Sequence, residues 1–334
     1  MRPLIEFELV GTIERYPCDL VIEYAKQAEN AGFDAVGVPD HFHPWSHKYG
    51  QGGFCWVVVS VLAEKLKRLQ VGSCVTTPLL RYHPAVIAQA WATLGYLYPG
   101  RIYLGVGTGE AMNEVPLGYE FPPPRTRIEM LDEALYIIKT LWCGNRVTYK
   151  GKYWTLNKAT LYTKPRAKIP LYVAGTGVKT ARVAGKYADA FITVPHIKVD
   201  LQKLKAAIRQ AARRAGRNPE KIRYVLHLFV SYNEDYEKAV KSIRPWAATV
   251  IPALYRYGVY DPVELDENAE VVGDDVLAKK CLVATTPEDI VKYLERYIGK
   301  GFTRFQFNNT SPEPRDFMNI MGSEVIPYIR ETYS

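Results

Sequence analysis

The chain lacks any uninterrupted apolar run approaching 18 residues, and its opening MRPLIEFELV has Glu6 and Glu8 where a signal peptide needs an apolar stretch. No membrane span or secretory leader is expected, and the expected location is the cytoplasm. It also lacks C-x-x-C. The five cysteines, Cys18, Cys55, Cys74, Cys143 and Cys281, are odd in number and far apart, which argues against a disulfide framework or a zinc knuckle and for reduced, mostly buried thiols. No run of Lys and Arg exceeds two residues. A net charge of +8 without such clusters fits an anionic small molecule better than nucleic acid, whose binding faces concentrate their basic residues. Internal repeats and low-complexity tracts are absent as well. The 48% hydrophobic content is enough for a large core and excludes a disordered chain.

What is present is a regular alternation of apolar runs and amphipathic stretches. The runs are Leu4 to Leu9, Ala35 to Val38, Leu69 to Thr76, Ile102 to Val106, Leu171 to Ala174, Ala190 to Val194, Tyr224 to Val230 and Phe302 to Phe307. Between them lie CDLVIEYAKQAENAG, PAVIAQAWATLGYLYPG, RIEMLDEALYIIKTLW, VKTARVAGKYA and DLQKLKAAIRQAARRAG, three of which close on a glycine as helix C-termini do. Eight strands alternating with helices predict an α/β fold, a (β/α)8 TIM barrel, as a single domain over residues 1–334. Two insertions interrupt it, at about 145–168 and 244–280. NRVTYKGKYWTLNKA alternates polar and apolar residues around Lys150-Gly151 and reads as a β-hairpin after the fourth helix, whereas the segment from Arg244 to Lys280 is mainly helical and separates strands seven and eight.

Catalytic groups of such barrels come from the C-terminal strand ends. That rule selects Asp40, His41 and His43 after the second run, Cys74 to Thr77 at the third, Thr108 to Glu110 after the fourth, Gly175 to Gly177 after the fifth, and His196 and Lys198 after the sixth. The His-x-His of His41 and His43 suggests half of a metal site, but the first strand offers only glutamates and the fifth and eighth offer neither His nor Asp, so no metal is expected. GVGTGE has Glu110, and VAGTGVKTA has Thr180, where a dinucleotide fingerprint needs its third glycine. Both remain glycine-rich turns that let a flat ring or a phosphate approach the backbone. His41 has the pKa to take a proton near neutrality, a partly buried Glu110 can donate one, and Trp45 supplies a wall. Read singly, His41 is equally a satisfied structural histidine and Glu110 a helix-capping acid; His43, His47 and His83 read as structural.

DHFHPW, the stretch CVTTP-x-x-RY-x-PA-x-x-AQ from Cys74 to Gln89, the YPGR turn and GVGTGEAMNEVP together resemble the luciferase-like deazaflavin oxidoreductases. The branch is that of coenzyme F420-dependent glucose-6-phosphate dehydrogenase and F420-dependent secondary alcohol dehydrogenase, and the resemblance continues through LYTKP, YDPVEL and SEVIP. It implies a barrel that binds coenzyme F420, an 8-hydroxy-5-deazaflavin, across its mouth and passes a hydride between ring carbon C5 and a substrate carbinol carbon. By match to the family motifs, His41 takes the hydroxyl proton, Glu110 serves the N1 side of the ring, and Trp45 steadies the developing charge. Asp40, the Cys74-Val75 bond as a non-proline cis peptide, Thr77, Thr108, Gly109 and Asn113 match coenzyme-binding positions, and Gly175, Thr176 and Gly177 match the loop that holds the coenzyme's phosphate.

The resemblance leaves two substrate classes. Lys198, Arg256 and Lys280 match the three basic residues that hold a sugar 6-phosphate, which favours a hexose 6-phosphate oxidised at C1. DHFHPW in place of DHFQPW, AMNEVP, LYTKP and Tyr257 in place of a histidine lean towards a secondary alcohol. The sugar-phosphate enzymes link that histidine with a glutamate matching Glu14, so Tyr257 puts such a relay in doubt. A third reading is a non-catalytic deazaflavin-binding protein, against which His41 and Glu110 both argue. A homodimer is the family's habit, and the charge of +8 suits a coenzyme that carries a phosphate and a glutamate tail.

Overall fold

Glu6–Val10 forms β1, and all of its residues but the first are buried, as expected of a strand covered on both faces. The computed structural model describes residues 4–195 and 199–333. Along them follow β2 (Ala35–Val38), β3 (Gln70–Ser73), β4 (Ile102–Val106), β5 (Val147–Lys150), β6 (Thr155–Ala159), β7 (Leu171–Ala174), β8 (Ala190–Thr193), β9 (Arg223–Tyr232), β10 (Leu282–Ala284) and β11 (Arg304–Asn309). Eight of these close a parallel barrel in the order β1-β2-β3-β4-β7-β8-β9-β11, with β11 returning to β1. The eight expected runs are the eight barrel strands, their ends shifted by a few residues. Inside the barrel Glu8 is fully buried and accepts from Arg304 Nε at 2.6 Å, from Tyr103 Oη at 2.5 Å and from Gln306 Nε2 at 3.0 Å. This glutamate of the first strand is therefore taken up by a buried ion pair, an arrangement that holds only while both partners are present.

All five helix-like segments are helices: Cys18–Asn30, Pro84–Leu97, Pro124–Cys143, Val178–Tyr187 and Leu201–Arg214. The helix Cys55–Lys65 was not expected, because CWVVVSVLAEK is apolar nearly all round and carries no 3.6-residue period. The hairpin after Cys143 forms from β5 and β6, antiparallel with an irregularity between Val147 and Tyr149. The five cysteines are free as expected, but only Cys55 is fully buried, and Cys143 is exposed.

The second insertion holds a 3-10 turn at Arg244–Val250 and helices at Pro252–Tyr257, Pro262–Glu270 and Asp274–Lys280. It is followed by β10, which pairs with the C-terminal half of β9 outside the barrel. The apolar residues of the insertion, among them Ile243, Trp246, Leu254, Leu265 and Leu277, form one cluster with Trp45 and Met112. Those two come from the loops after β2 and β4. The insertion thus packs on the barrel's mouth through side chains that the mouth itself supplies.

Candidate active site

The loop after β2 is fastened from below. Asp40 is 2% exposed, and its carboxylate accepts from Thr76 Oγ1, from Trp56 Nε1 at 3.2 Å and from Tyr82 Oη at 3.3 Å, with Arg81 Nη2 at 3.1 Å. Both oxygens are engaged, so a bound ring meets Asp40 only if this set yields in part. The loop is fastened from above as well. His43 Nδ1 lies 3.1 Å from the Tyr260 carbonyl, and the Lys48 N–H donates to Asp266 Oδ2 at 2.9 Å, both in the helical insertion. The two histidines of DHFHPW therefore do different things: His43 ties the loop to the insertion, and His41 faces the mouth.

His41 lies between two carboxylates. Its Nδ1 is 2.6 Å from Glu14 Oε2, on the loop after β1, and its Nε2 is 3.2 Å from Glu110 Oε2, at the start of the short helix Ala111–Glu114 after β4. A carboxylate beside each nitrogen favours the charged imidazolium over the neutral ring. Burial works against that charge, but the field of Glu14 and the contacts with Glu110 outweigh it and raise the pKa to about 10. Trp45, 8% exposed, presents its ring edge to His41, with centroids 5.9 Å apart and planes at 76°. Glu14 was expected to miss its relay partner at Tyr257. Tyr257 is 78% exposed, in keeping with that expectation, and Glu14 lies 2.6 Å from His41 itself.

The strand ends beside this pair are rich in glycine and closely packed. The Cys74-Val75 peptide is cis, as the resemblance implied. A Cβ on Gly105 would lie 2.1 Å from the Ser73 carbonyl, and Gly109, at φ +71°, would bring one to 2.7 Å from Thr77. Arg127 donates to the carbonyls of Thr108 and Gly109 at 3.2 and 3.0 Å, and Asn113 Oδ1 accepts from the Phe42 N–H at 2.8 Å. These contacts join the loops after β2 and β4 into one wall. Gly175 to Gly177 lead into the helix Val178–Tyr187, whose first turn has no side-chain cap. Lys198 lies outside the described residues, as does the side chain of Arg256. Lys280 is exposed at the end of the insertion's last helix.

The interior contributes residues that motif reading passed over. His227 of β9 pairs in register with Gln306 of β11, and burial lowers its pKa. Thr193 Oγ1, Gln306 Oε1 and Asn308 Oδ1 are buried without a hydrogen-bond partner among the described residues. The signal was available in part, because RFQFNN puts Arg304, Gln306 and Asn308 at alternate places in an otherwise apolar strand, and alternate residues share a face. Among the described residues, no three His, Cys, Asp or Glu side chains converge as metal ligands do.

Residues 10–304 match the family model of the luciferase-like monooxygenases. An F420-dependent glucose-6-phosphate dehydrogenase of Microbacterium testaceum (strain StLB037) is 35% identical over 332 residues, covering 99% of this chain and 99% of that protein. The corresponding enzyme of Mycolicibacterium fortuitum is 36% identical over 325 residues, covering 96% and 97%. Among solved structures, an F420-dependent secondary alcohol dehydrogenase in complex with an F420-acetone adduct superposes with a TM-score of 0.92 at 38% identity, covering 98% of this chain and 99% of that one.

Proposed function

Because this chain belongs to the luciferase-like monooxygenase family and resembles F420-dependent dehydrogenases over nearly its whole length, we propose that it is an F420-dependent oxidoreductase acting on a CH-OH group. The observation that carries this reading is the placement of His41 between Glu14 and Glu110 at the barrel's mouth. A carbinol carbon gives up a hydride readily only when its hydroxyl proton has somewhere to go. A proton moved across the 3.2 Å contact onto Glu110 leaves His41 Nε2 free to accept that hydroxyl proton, while the Glu14 carboxylate, 2.6 Å from Nδ1, favours the positive charge that the ring then takes up. Glu110 then holds the acid proton for the N1 side of a ring, and Trp45 lies edge-on to the changing charge. When bound, coenzyme F420 supplies carbon C5 as the hydride's destination. The site suits such a ring: Thr193 Oγ1 and Asn308 Oδ1, on barrel strands, are buried without a hydrogen-bond partner among the described residues.

In this reading Asp40, the Cys74-Val75 bulge, Thr77, Thr108, Gly109 and Asn113 hold the ring, and the loop from Gly175 through Thr176 to Gly177 holds its phosphate. The substrate we favour is a hexose 6-phosphate, glucose 6-phosphate above all, oxidised at C1 with Lys198, Arg256 and Lys280 on the phosphate; the relatives named for that reaction support it. A secondary alcohol is the second reading, favoured by the 38% identity and TM-score of 0.92 to the alcohol dehydrogenase. The working form we infer is a cytoplasmic homodimer.

Loss of the visible absorbance of oxidised F420, followed first with glucose 6-phosphate and then with 2-propanol, separates the readings. Turnover with 2-propanol alone removes the phosphate reading, and coenzyme binding without any turnover removes catalysis. His41→Ala should still bind coenzyme while turnover falls ~10²- to 10⁴-fold, the usual contribution of a general base. A rate equal to wild type would discard His41 as the base.

A further inference from the structure

On the barrel's outer surface, a groove of about 710 Å³ lies between the helices Pro124–Cys143 and Val178–Tyr187 and the β5-β6 hairpin. Its walls are charged. Glu129 contacts Lys152 at 2.8 Å and Arg125 at 3.0 Å, and Lys152 first, with Tyr153 and Arg125, holds its carboxyl down to about 2. Asp132 is 3.0 Å from Lys186, and Glu133 accepts the N–H groups of Lys152, Tyr153 and Trp154. All three acids are thus engaged. Lys179 and Arg182, exposed on the second helix, face no carboxylate within ion-pair distance among the described residues. With Lys186 they follow a spacing of three and four, which puts all three cations on one face.

That face begins two residues after Gly177, where the loop assigned to the coenzyme's phosphate ends. The helix is ten residues long, so the groove runs on for about 15 Å from that point. We propose that this groove binds the anionic oligoglutamate tail of the coenzyme, with Lys179 and Arg182 as the carboxylate-binding residues and Lys186 released from Asp132 to join them. The inference rests on the F420 reading of the mouth and adds a second subsite to it. Exposed charge pairs of this kind are individually weak and screened by salt, so the groove tunes affinity for the tail and leaves the ring's seat as it is.

The test is a binding titration by coenzyme fluorescence at low salt, using F420 with several glutamates and the truncated coenzyme that has the phosphate and lactate but no glutamate. Wild type should bind the tailed form about five- to tenfold more tightly. In the exposed double variant Lys179→Ala, Arg182→Ala that advantage should shrink to about twofold or less, as it should in wild type at 1 M salt. Equal affinity for both forms in wild type overturns the proposal, and so does an advantage that survives the double substitution. A protein that binds neither form refutes the F420 reading itself, whereas one that binds both equally refutes only the groove.

Discussion

His41 is held on both sides, and each nitrogen answers to a different strand end. The carboxylates raise its pKa to about 10 against the burial that opposes them, well above the ~6.5 of a free imidazole. Glu14 is the residue to change, because it touches the ring nitrogen that does not face Glu110. In Glu14→Gln the imidazole should titrate at lower pH, which its carbon and nitrogen chemical shifts report directly; a midpoint unchanged from wild type would show that Glu14 does not set the charge. Stability should follow with a defined sign. A folded-state pKa above the unfolded one stabilises the fold fully below pH ~6.5, and that contribution is lost as pH rises through about 10. Melting temperatures across that window should therefore decline less in Glu14→Gln than in wild type. His41, Glu110 and Trp45 were legible as a set because each follows a strand in a motif. The partnership of Glu14 with His41 was not, since a contact between two strand-end loops leaves no spacing to read.

Among elements, those that bury both faces were the easiest to read. The barrel strands appear as short apolar runs between helices with a clear period, whereas Cys55–Lys65, apolar nearly all round, and β10, three residues long, carry no such mark. The 244–280 insertion was legible as helical, but its purpose was not, because what it does depends on Trp45 and Met112, which are far away in sequence. Its packing makes a prediction. Leu265 is fully buried in that cluster, and the next residue, Asp266, accepts the Lys48 N–H at 2.9 Å. Leu265→Ala should cost about 2–5 kcal/mol of local stability and speed hydrogen exchange at the Lys48 amide, while amides in β1 and β2 keep their protection. Faster exchange throughout the barrel would mean that the insertion and the barrel unfold as one unit. No change at Lys48 would mean that the insertion does not brace the DHFHPW loop.

At the scale of the whole molecule, 43 basic against 35 acidic residues give the net charge of +8, and the proposed coenzyme is a polyanion. Such a field raises the rate of encounter more than it lowers the rate of escape, because escape is governed by contacts already made at short range. It acts over ~30 Å at 0.01 M ionic strength and ~3 Å at 1 M, so salt removes the steering while the buried contacts of the mouth persist. Stopped-flow binding of F420 should show an association rate falling about tenfold across that range, with a dissociation rate that changes less. The same reasoning divides the two substrate readings. A sugar phosphate held by Lys198, Arg256 and Lys280 should show a KM that climbs with salt at constant kcat. A neutral secondary alcohol, with no charge for the field to act on, should show a KM indifferent to it. An association rate that is flat in salt would mean that the excess charge lies away from the mouth and plays no part in bringing the coenzyme in.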